Sequence, residues 1–232
     1  MYRLRPQLEI MNQRVMIIAI IIIIQTHQSL EAQSREEIIT IATAMRSIIV
    51  LNSNNRNVEE HRKLMQQAEE SHKDAKWKIV MFHHDIYGAG SPHSDVDGAN
   101  LRILFAPLMD EFDVDVCLTG HDHSYARTYQ ILDGKVIDTE GVGEGASNAV
   151  NPEGTLYIAA GSATGSKFYT LNTTKTVLSC RTFQHTNSNI FNNRCSADEL
   201  TIKTYDYDGN KYANDVTIQK NDGATSIIEE KK

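Results

Sequence analysis

Residues 117–128 read CLTGHDHSYART, and this stretch decides how the fold of the chain can be interpreted. Apolar residues at positions 114, 116 and 118 precede it at alternate places, which predicts a β-strand that ends just before Gly120. Extended chain at this point would carry His121 and His123 on one side, about 6.6 Å apart. We expect Gly120 to let the backbone turn here without a Cβ clash. Taken alone, the pair fits two ordinary loop histidines as well as two metal ligands.

A second histidine cluster follows the apolar run in residues 77–87, WKIVMFHHDIY. This run predicts another buried strand, with His83 and His84 directly at its end. Ligands of open α/β sheets gather beyond the carboxyl ends of the strands, and neutral imidazole is the commonest protein ligand of first-row metals. The loop at 88–92 then allows His93 to fold back over the same crevice. His84, considered by itself, fits a solvated loop residue better than a ligand.

Together, GHDHSYART (residues 120–128) and IVMFHHDIYG (residues 79–88) resemble the last two metal motifs of the calcineurin-like metallophosphoesterases, closest to their purple-acid-phosphatase-like branch. The resemblance extends from about residue 50 to residue 220. It implies an α/β fold, the C-terminal part of a four-layer αββα sandwich. It also implies that His83 and His121 ligate one metal of a binuclear centre, and His123 the other.

The same resemblance implies roles for the remaining motif residues and for the reaction. His93 would contact the substrate phosphate or the leaving group. His84 and Asp122 would support the ligands or face the substrate, while Tyr125 and Arg127 would mainly pack and support. The implied activity is hydrolysis of a phosphomonoester or phosphodiester, with two ions of Fe, Mn or Zn and a metal-bound hydroxide as the nucleophile.

Three upstream motifs of that family do not occur in this sequence, namely Asp-x-His, Gly-Asp-x-x-Tyr and Gly-Asn-His-Glu. In the family they supply the other half of the metal shell, including the aspartate that bridges the two ions. We therefore expect residues 48–222 to be the C-terminal part of a phosphoesterase domain. Residues 1–47 would be an unrelated or signal-like segment, and residues 223–232 a mobile charged tail. Activity would then be impaired, and the alternative is a non-catalytic remnant that binds a metal or phosphate weakly.

Composition limits the classes of partner. The net charge of −7 argues against a nucleic-acid surface, which needs clustered Lys and Arg. The apolar run at residues 15–24 follows three arginines but is too short for a stable membrane span, and it fits the apolar region of a signal peptide. Secretion or a cell-envelope location is one interpretation. An untargeted run in a cytoplasmic protein is the other.

The three cysteines carry no metal signal, because none forms a Cys-x-x-Cys pair. Cys117 lies in the predicted strand before the histidines and is expected to be a buried apolar residue. Cys180 and Cys195 bracket a polar segment, and an oxidising compartment would allow a disulfide between them. Two free thiols are an equally good interpretation.

The rest of the pattern predicts alternating α and β elements, followed by a β-rich part. Asn57 offers an N-cap with Glu60 at the N3 position, and a second helix should be kinked or restarted by Pro107. Further strands are predicted at residues 48–51, 155–161, 200–205 and 216–219, with the turn of the last pair at residues 208–209. The glycine-containing loop at 161–165 has no following helix or lysine in register, so it does not predict a phosphate site.

Overall fold

The computed structural model describes residues 39–43, 46–91, 96–138, 148–159, 161, 169–172, 179–183, 189–196, 198–206, 209–211 and 213–221. In these ranges the backbone forms two helices and fourteen strands. In chain order they are β1 (Ile39–Thr43), β2 (Arg46–Val50), α1 (Val58–Ser71), β3 (Trp77–Met81), β4 (Gly90–Ser91), α2 (Val96–Glu111), β5 (Val116–Thr119), β6 (Tyr125–Leu132), β7 (Lys135–Asp138), β8 (Asn148–Val150), β9 (Thr155–Ala159), β10 (Thr170–Leu171), β11 (Ser179–Phe183), β12 (Asn189–Cys195), β13 (Glu199–Asp206) and β14 (Val216–Gln219).

The main sheet has eight strands in the order β1-β2-β3-β5-β9-β6-β11, with β7 paired to β6. Its centre is parallel, since β2 pairs with β3, β3 with β5 and β5 with β9 in the same direction. The helices α1 and α2 make the crossovers between successive parallel strands, so the carboxyl ends of β2, β3 and β5 meet at one edge. Antiparallel strands flank this centre, β1 on one side and β6 on the other.

Helix α1 begins as the sequence predicts. The side-chain oxygen of Asn57 accepts hydrogen bonds from the backbone N–H groups of Glu59 and Glu60, at 3.2 and 3.4 Å. The Glu60 carboxylate accepts from the side-chain amide of Asn57 at 2.8 Å, while the backbone N–H of Asn57 donates to Asn55 at 2.9 Å. Asn57 and Glu60 therefore bond to each other in both directions, as in a capping box. The Glu60 carboxylate, however, accepts from the side chain of Asn57 instead of from its backbone.

Helix α2 runs through Pro107 without a restart, from Val96 to Glu111. The expected restart is wrong. Proline has no N–H for the carbonyl of Ile103, four residues earlier. Ile103 lies on the solvent side of the helix, where its side chain is 73% exposed, so water can satisfy that carbonyl. The helix consequently continues as one element, and its opposite side, including Leu101 and Phe105, is buried.

Two apolar layers flank the main sheet and confirm the α/β class. Alternate strand residues such as Ile49, Val80 and Cys117 face the helices, and their neighbours Ile48, Ile79 and Val116 face a second sheet. That second sheet has four strands in the order β12-β13-β14-β8. The layers among the described residues are thus helices, sheet and sheet.

A buried ion pair fastens the second sheet to the first. Lys220, just after β14, donates to Asp115 at 2.6 Å and to the Lys76 carbonyl at 3.0 Å, and it lies 5.3 Å from the centre of the Trp77 ring. The Trp77 indole donates to the Ser196 carbonyl at 2.9 Å. Burial raises the pKa of Asp115, and Lys220 and the backbone N–H of Lys78 oppose that rise.

Several predicted elements agree with the structure, and several strands were missed. The predicted strand at 155–161 is β9, fully buried, and β13 pairs antiparallel with β14 as expected. Among the missed strands is β6, although it contains the last four residues of the deciding stretch, 125–128. The first strand starts at Ile39, upstream of the predicted boundary at residue 48, and that division of the chain stays a prediction.

Other predictions fall outside the described residues. These are the apolar run at 15–24, His93, most of the loop at 161–165 and the tail from residue 223, while at Cys180 and Cys195 only the backbone is described. Cys117 is buried and not in a disulfide. No helix in the described part of the chain is long and apolar enough to cross a membrane.

Candidate metal centre

Backbone hydrogen bonds join the two histidine motifs beyond the ends of their strands. Phe82 donates to the carbonyl of Leu118 at 3.2 Å, and Gly120 donates to the carbonyl of His83 at 3.0 Å. The β3–β5 pairing therefore continues past the last strand residues. This continuation brings the first histidine of each motif to the same point on the carboxyl edge of the sheet.

The side chains of His83 and His121 meet there. His83 Nε2 lies 3.0 Å from His121 Nδ1, with the ring centres 4.9 Å apart. In the metal-free chain this contact is a hydrogen bond between the two rings, and it brings two imidazole nitrogens close enough to bind one ion together. Burial, and then the neighbouring imidazoles of His121, His84 and His123, lower the pKa of His83 to about 3. The ring is therefore neutral at physiological pH, which is the form that binds metals.

The backbone of the GHDH turn differs from the expectation. His121 and His123 have φ values of 67° and 51°, in the left-handed region, so the chain is not extended here. Asp122 between them donates its N–H to the Gly120 carbonyl at 2.8 Å. Gly120 itself does not need to lack a Cβ, since the nearest atom to one would be the His83 carbonyl oxygen at 3.7 Å. Left-handed non-glycine residues are strained and concentrate at functional sites.

His123 lies further along the turn than the first pair. Its ring centre is 5.4 Å from that of Tyr169, and its charge acts on His83. In the described part of the chain, no group of three or more His, Cys, Asp or Glu side chains is placed to hold an ion. The donors therefore fit two neighbouring positions of a metal shell, His83 and His121, and do not complete it.

A residue from a third strand end also enters the site. Ser53 follows β2, is 2% exposed, and its Oγ lies 2.8 Å from His84 Nδ1. The same oxygen accepts the backbone N–H of His84 at 3.2 Å. The His84 ring is half-buried, with its centre 4.8 Å from that of His121 and 5.2 Å from that of His83. His84 is thus held against the pair and not free in solvent.

Two buried carboxyl groups, Asp85 and Asp122, face each other behind the histidines. Asp85 accepts from the Tyr87 N–H at 3.0 Å and from Thr119 Oγ1 at 3.2 Å, and Asp122 accepts from the Gly90 N–H at 2.9 Å. A Cβ on Gly88 would lie 2.1 Å from an oxygen of Asp122 and 2.2 Å from one of Asp85.

Burial, followed by the charge of the neighbouring Asp122, raises the pKa of Asp85 well above its ordinary value. Asp85 therefore holds its proton more firmly than an exposed aspartate does. Each of these carboxyl groups belongs to one histidine motif, so the pair joins the two loops from behind.

The last motif residues point away from the histidines. Tyr125 is 1% exposed and packs in the apolar layer between the sheets. Arg127 is fully buried and its Nη1 donates to the Asn214 carbonyl at 3.1 Å. These contacts fix β6, and with it the exit from the GHDH turn, against the second sheet.

Sequence reasoning missed Ser53, Asp85 and Gly88. Ser53 lies 31 residues before His84, and only the parallel pairing of β2 with β3 brings them together. For Gly88 the sequence held a signal, because a glycine close to a strand can mark a place where another group approaches the backbone closely.

Comparison with known proteins finds a family likeness over the part of the chain that contains both histidine motifs. A model of the family described as calcineurin-like phosphoesterase matches residues 24–125. Purple acid phosphatase 18 of Arabidopsis thaliana is 36% identical over 59 residues, which cover 25% of this chain and 13% of that protein. Over these segments the chain is similar to the calcineurin-like phosphoesterases and to the purple acid phosphatases. The phosphoenolpyruvate phosphatase of Allium cepa is 33% identical over 55 residues, which cover 24% of this chain and 11% of that protein.

Solved structures extend this likeness beyond the matched sequence, for the fold alone. The purple acid phosphatase PPD1 from yellow lupin (Lupinus luteus) seeds superposes with a TM-score of 0.63 at 16% identity, covering 82% of this chain and 34% of that one. GAP50, described as the anchor in the inner membrane complex of Plasmodium, has a TM-score of 0.53 at 15% identity, covering 80% of this chain and 55% of its own. The chain thus spans about a third to a half of these structures, and its matched segments span far less of the sequence relatives.

Proposed function

We propose that this chain acts in metal-dependent hydrolysis of phosphate esters, on small phosphomonoesters or phosphodiesters. The observation that carries the proposal is the approach of His83 Nε2 and His121 Nδ1 to 3.0 Å at the carboxyl edge of a parallel sheet. Both nitrogens come from motifs that resemble the family's metal motifs. A metal bound here would supply a Lewis acid and lower the pKa of water.

The chain's own residues would divide the remaining work. His83 and His121 would hold one ion of Fe, Mn or Zn through their neutral nitrogens, and His123 would hold the other ion of a binuclear centre. His93 would contact the phosphate or the leaving group, and it lies outside the described residues. Asp85 and Asp122 would keep the two histidine loops in register through their buried contacts.

The proposal includes an impaired activity for the 232-residue chain by itself. The three upstream motifs do not occur in it, and these supply carboxylate and amide ligands in the family. Three neutral imidazoles leave the charge of two dications uncompensated, so we expect weak binding of a single ion. The alternative is a chain that binds a metal or phosphate without turnover. The fold likeness to GAP50, whose description names an anchor, keeps that alternative open.

Metal binding is the first test. The chelator-treated chain is titrated with Mn²⁺ or Zn²⁺ and followed by calorimetry, beside His121→Ala and a control, His72→Ala. His72 caps the far end of α1, where its Nδ1 lies 3.0 Å from the Ala68 carbonyl. We expect the wild type and the control to bind alike and His121→Ala to lose binding. Equal binding by all three chains would refute the metal assignment.

Turnover is the second test. An aryl phosphate and a bis(aryl) phosphate are incubated with the chain, and with a fusion in which the upstream half of a purple acid phosphatase domain replaces residues 1–45 and leaves β2 intact. We expect the fusion to be active and the unmodified chain to be inactive. In the fusion, His93→Ala should lower the rate of hydrolysis while the metal stays bound. Chelator-sensitive turnover by the unmodified chain would overturn the impaired part of the proposal. An inactive, metal-loaded fusion would favour the non-catalytic alternative.

Location remains part of the proposal. The apolar run at residues 15–24 supports export as a signal-peptide region. Expression with a tag at the C-terminus tests this, because export would leave a shortened protein outside the cytoplasm and an untargeted run would leave the full chain inside.

A further inference from the structure

We propose that Ser53 is a positioning residue that fixes the ring of His84 as a hydrogen-bond donor to a phosphate oxygen of the substrate. That the His84 N–H meets a phosphate oxygen rests on the proposed function, which this inference deepens. The orientation of the ring is a separate claim, which can be tested on the chain without turnover.

The contacts of the Ser53 hydroxyl define the direction of its proton. Its oxygen accepts the backbone N–H of His84 at 3.2 Å and lies 2.8 Å from Nδ1 of the same residue. Ser53 is buried, and in the described part of the chain Nδ1 is the acceptor within reach of its single hydroxyl proton. A hydroxyl that donates to Nδ1 leaves Nε2 as the protonated nitrogen of the neutral ring.

The loop that carries Ser53 is held in place from both sides. Leu51 donates its N–H to the Met81 carbonyl at 2.8 Å, which extends the β2–β3 pairing to the loop. Asn52 closes the turn, since its carbonyl accepts from Asn55 and its side chain accepts from Asn54, each at 3.0 Å. The serine is therefore presented by a rigid turn at the same sheet edge as the histidines.

The result is a division between acceptor and donor nitrogens in one crevice. The facing nitrogens of His83 and His121 lie 3.0 Å apart, and each would turn a lone pair to a cation bound between them. The His84 ring lies beside this pair, with its centre 4.8 Å from that of His121, and its Nε2–H is the donor that we assign to the substrate. A phosphate ester that bridges to a metal has further oxygens that carry negative charge, and an imidazole N–H is a suitable donor to one of them. The chemistry selects an anionic oxygen and disfavours neutral esters.

The ring orientation is measured by ¹⁵N NMR of the histidine-labelled, chelator-treated chain above pH 8. We expect one fixed tautomer for His84, with Nε2 protonated and Nδ1 not. Ser53→Ala should give averaged shifts of two tautomers, and Ser53→Thr, which keeps the hydroxyl, should restore the fixed pattern. Ser124→Ala is the matched control, because Ser124 is 1% exposed and follows the GHDH turn. Averaged shifts for His84 in the wild type would overturn the role of Ser53, even if a variant failed to fold.

The substrate side is measured with inorganic phosphate as the probe, on the Zn²⁺-treated chain. Phosphate should shift the His84 Nε2 signal, and Ser53→Ala should weaken phosphate binding by about 5- to 10-fold, the effect of one hydrogen bond. A fixed tautomer with a signal that phosphate leaves unchanged would overturn the substrate contact. Failure of the proposed function is distinguishable, since it appears as absent zinc binding while the tautomer of His84 stays fixed.

Discussion

The tightest packing in the site surrounds Gly88, and Gly88→Ala should therefore be strongly destabilising. A Cβ at this position would lie 2.1 Å from Asp122 Oδ2, 2.2 Å from Asp85 Oδ2 and 2.6 Å from Asp85 Cγ. Ordinary contacts of a Cβ are 3.4–4 Å, so the carboxyl groups would have to retreat by more than an ångström. Neither can do so freely, because each accepts hydrogen bonds from fixed groups.

The size of the effect follows from these contacts. Overpacking of a buried site costs about 1–3 kcal/mol. Displacing a carboxyl group also loses hydrogen bonds of roughly 1 kcal/mol each. We expect a loss of about 3–4 kcal/mol, which at about 2–4 °C per kcal/mol lowers Tm by roughly 6–16 °C for a domain of this size.

Gly120→Ala is the control, and it lies within the histidine motif itself. The nearest atom to its Cβ would be 3.7 Å away, and Gly120 is not among the glycines with positive φ. Its stability should change by less than about 1 kcal/mol. Thermal unfolding followed by circular dichroism, with chelator present, compares the two variants. Equal Tm values for Gly88→Ala and Gly120→Ala would refute the steric argument.

Three further predictions concern the ion pair, the helix cap and the histidine site. Lys220→Met leaves the buried Asp115 without its lysine partner and should lower the free energy of unfolding in denaturant by about 2–4 kcal/mol. The control Lys135→Met removes an exposed pair and should lower it by less than about 0.5 kcal/mol. Similar losses in the two variants would contradict the anchoring role of Lys220. Asn57→Ala should lower stability by about 1 kcal/mol, with Asn57→Asp close to wild type, and an unchanged unfolding midpoint for the alanine variant would disprove the cap. In metal-free protein the unfolded chain gains a proton at His83 near pH 6.5, while the folded chain does not gain it until about pH 3. The stability of the folded chain should therefore fall as the pH drops from about 6.5 to about 3. Tm measured against pH tests this, and His83→Gln should flatten the dependence.

Local chemistry made much of the fold predictable. The Asn57 cap needs only a polar side chain and the N–H groups that follow it, and these are neighbours in sequence. The strands that precede His83 and His121 are apolar runs, buried on both faces as parallel strands are. Their positions at one edge follow from the two crossover helices.

The strand β6 shows why other parts were not predictable. Its sequence, YARTYQIL, places polar residues inside, and Arg127 and Gln130 are fully buried. Their burial depends on the second sheet and on β9, which are distant in sequence. Hydropathy alone predicts that such a segment is exposed, because its buried polar residues break the alternation of apolar and polar residues that marks a strand.

The directions of the site's side chains required the tertiary structure as well. Extended geometry was the reasonable expectation for Gly-His-x-His, yet His121 and His123 adopt left-handed backbone. That conformation is imposed by hydrogen bonds made elsewhere, including the bond from Gly120 to the His83 carbonyl. Ser53 likewise enters the site through strand pairing, which no local motif encodes.

The architecture also determines which substitutions can test the chemistry cleanly. The two motifs are joined by backbone hydrogen bonds and by the buried carboxyl groups of Asp85 and Asp122, none of which uses an imidazole. Removing the His121 ring should therefore leave the loops in place and lose only the nitrogen that faces His83. Removing Asp122 would instead release the Gly90 N–H and disturb both motifs together. A loss of metal binding is thus interpretable for His121→Ala, whereas the same loss in an Asp122 variant would combine chemistry with misfolding.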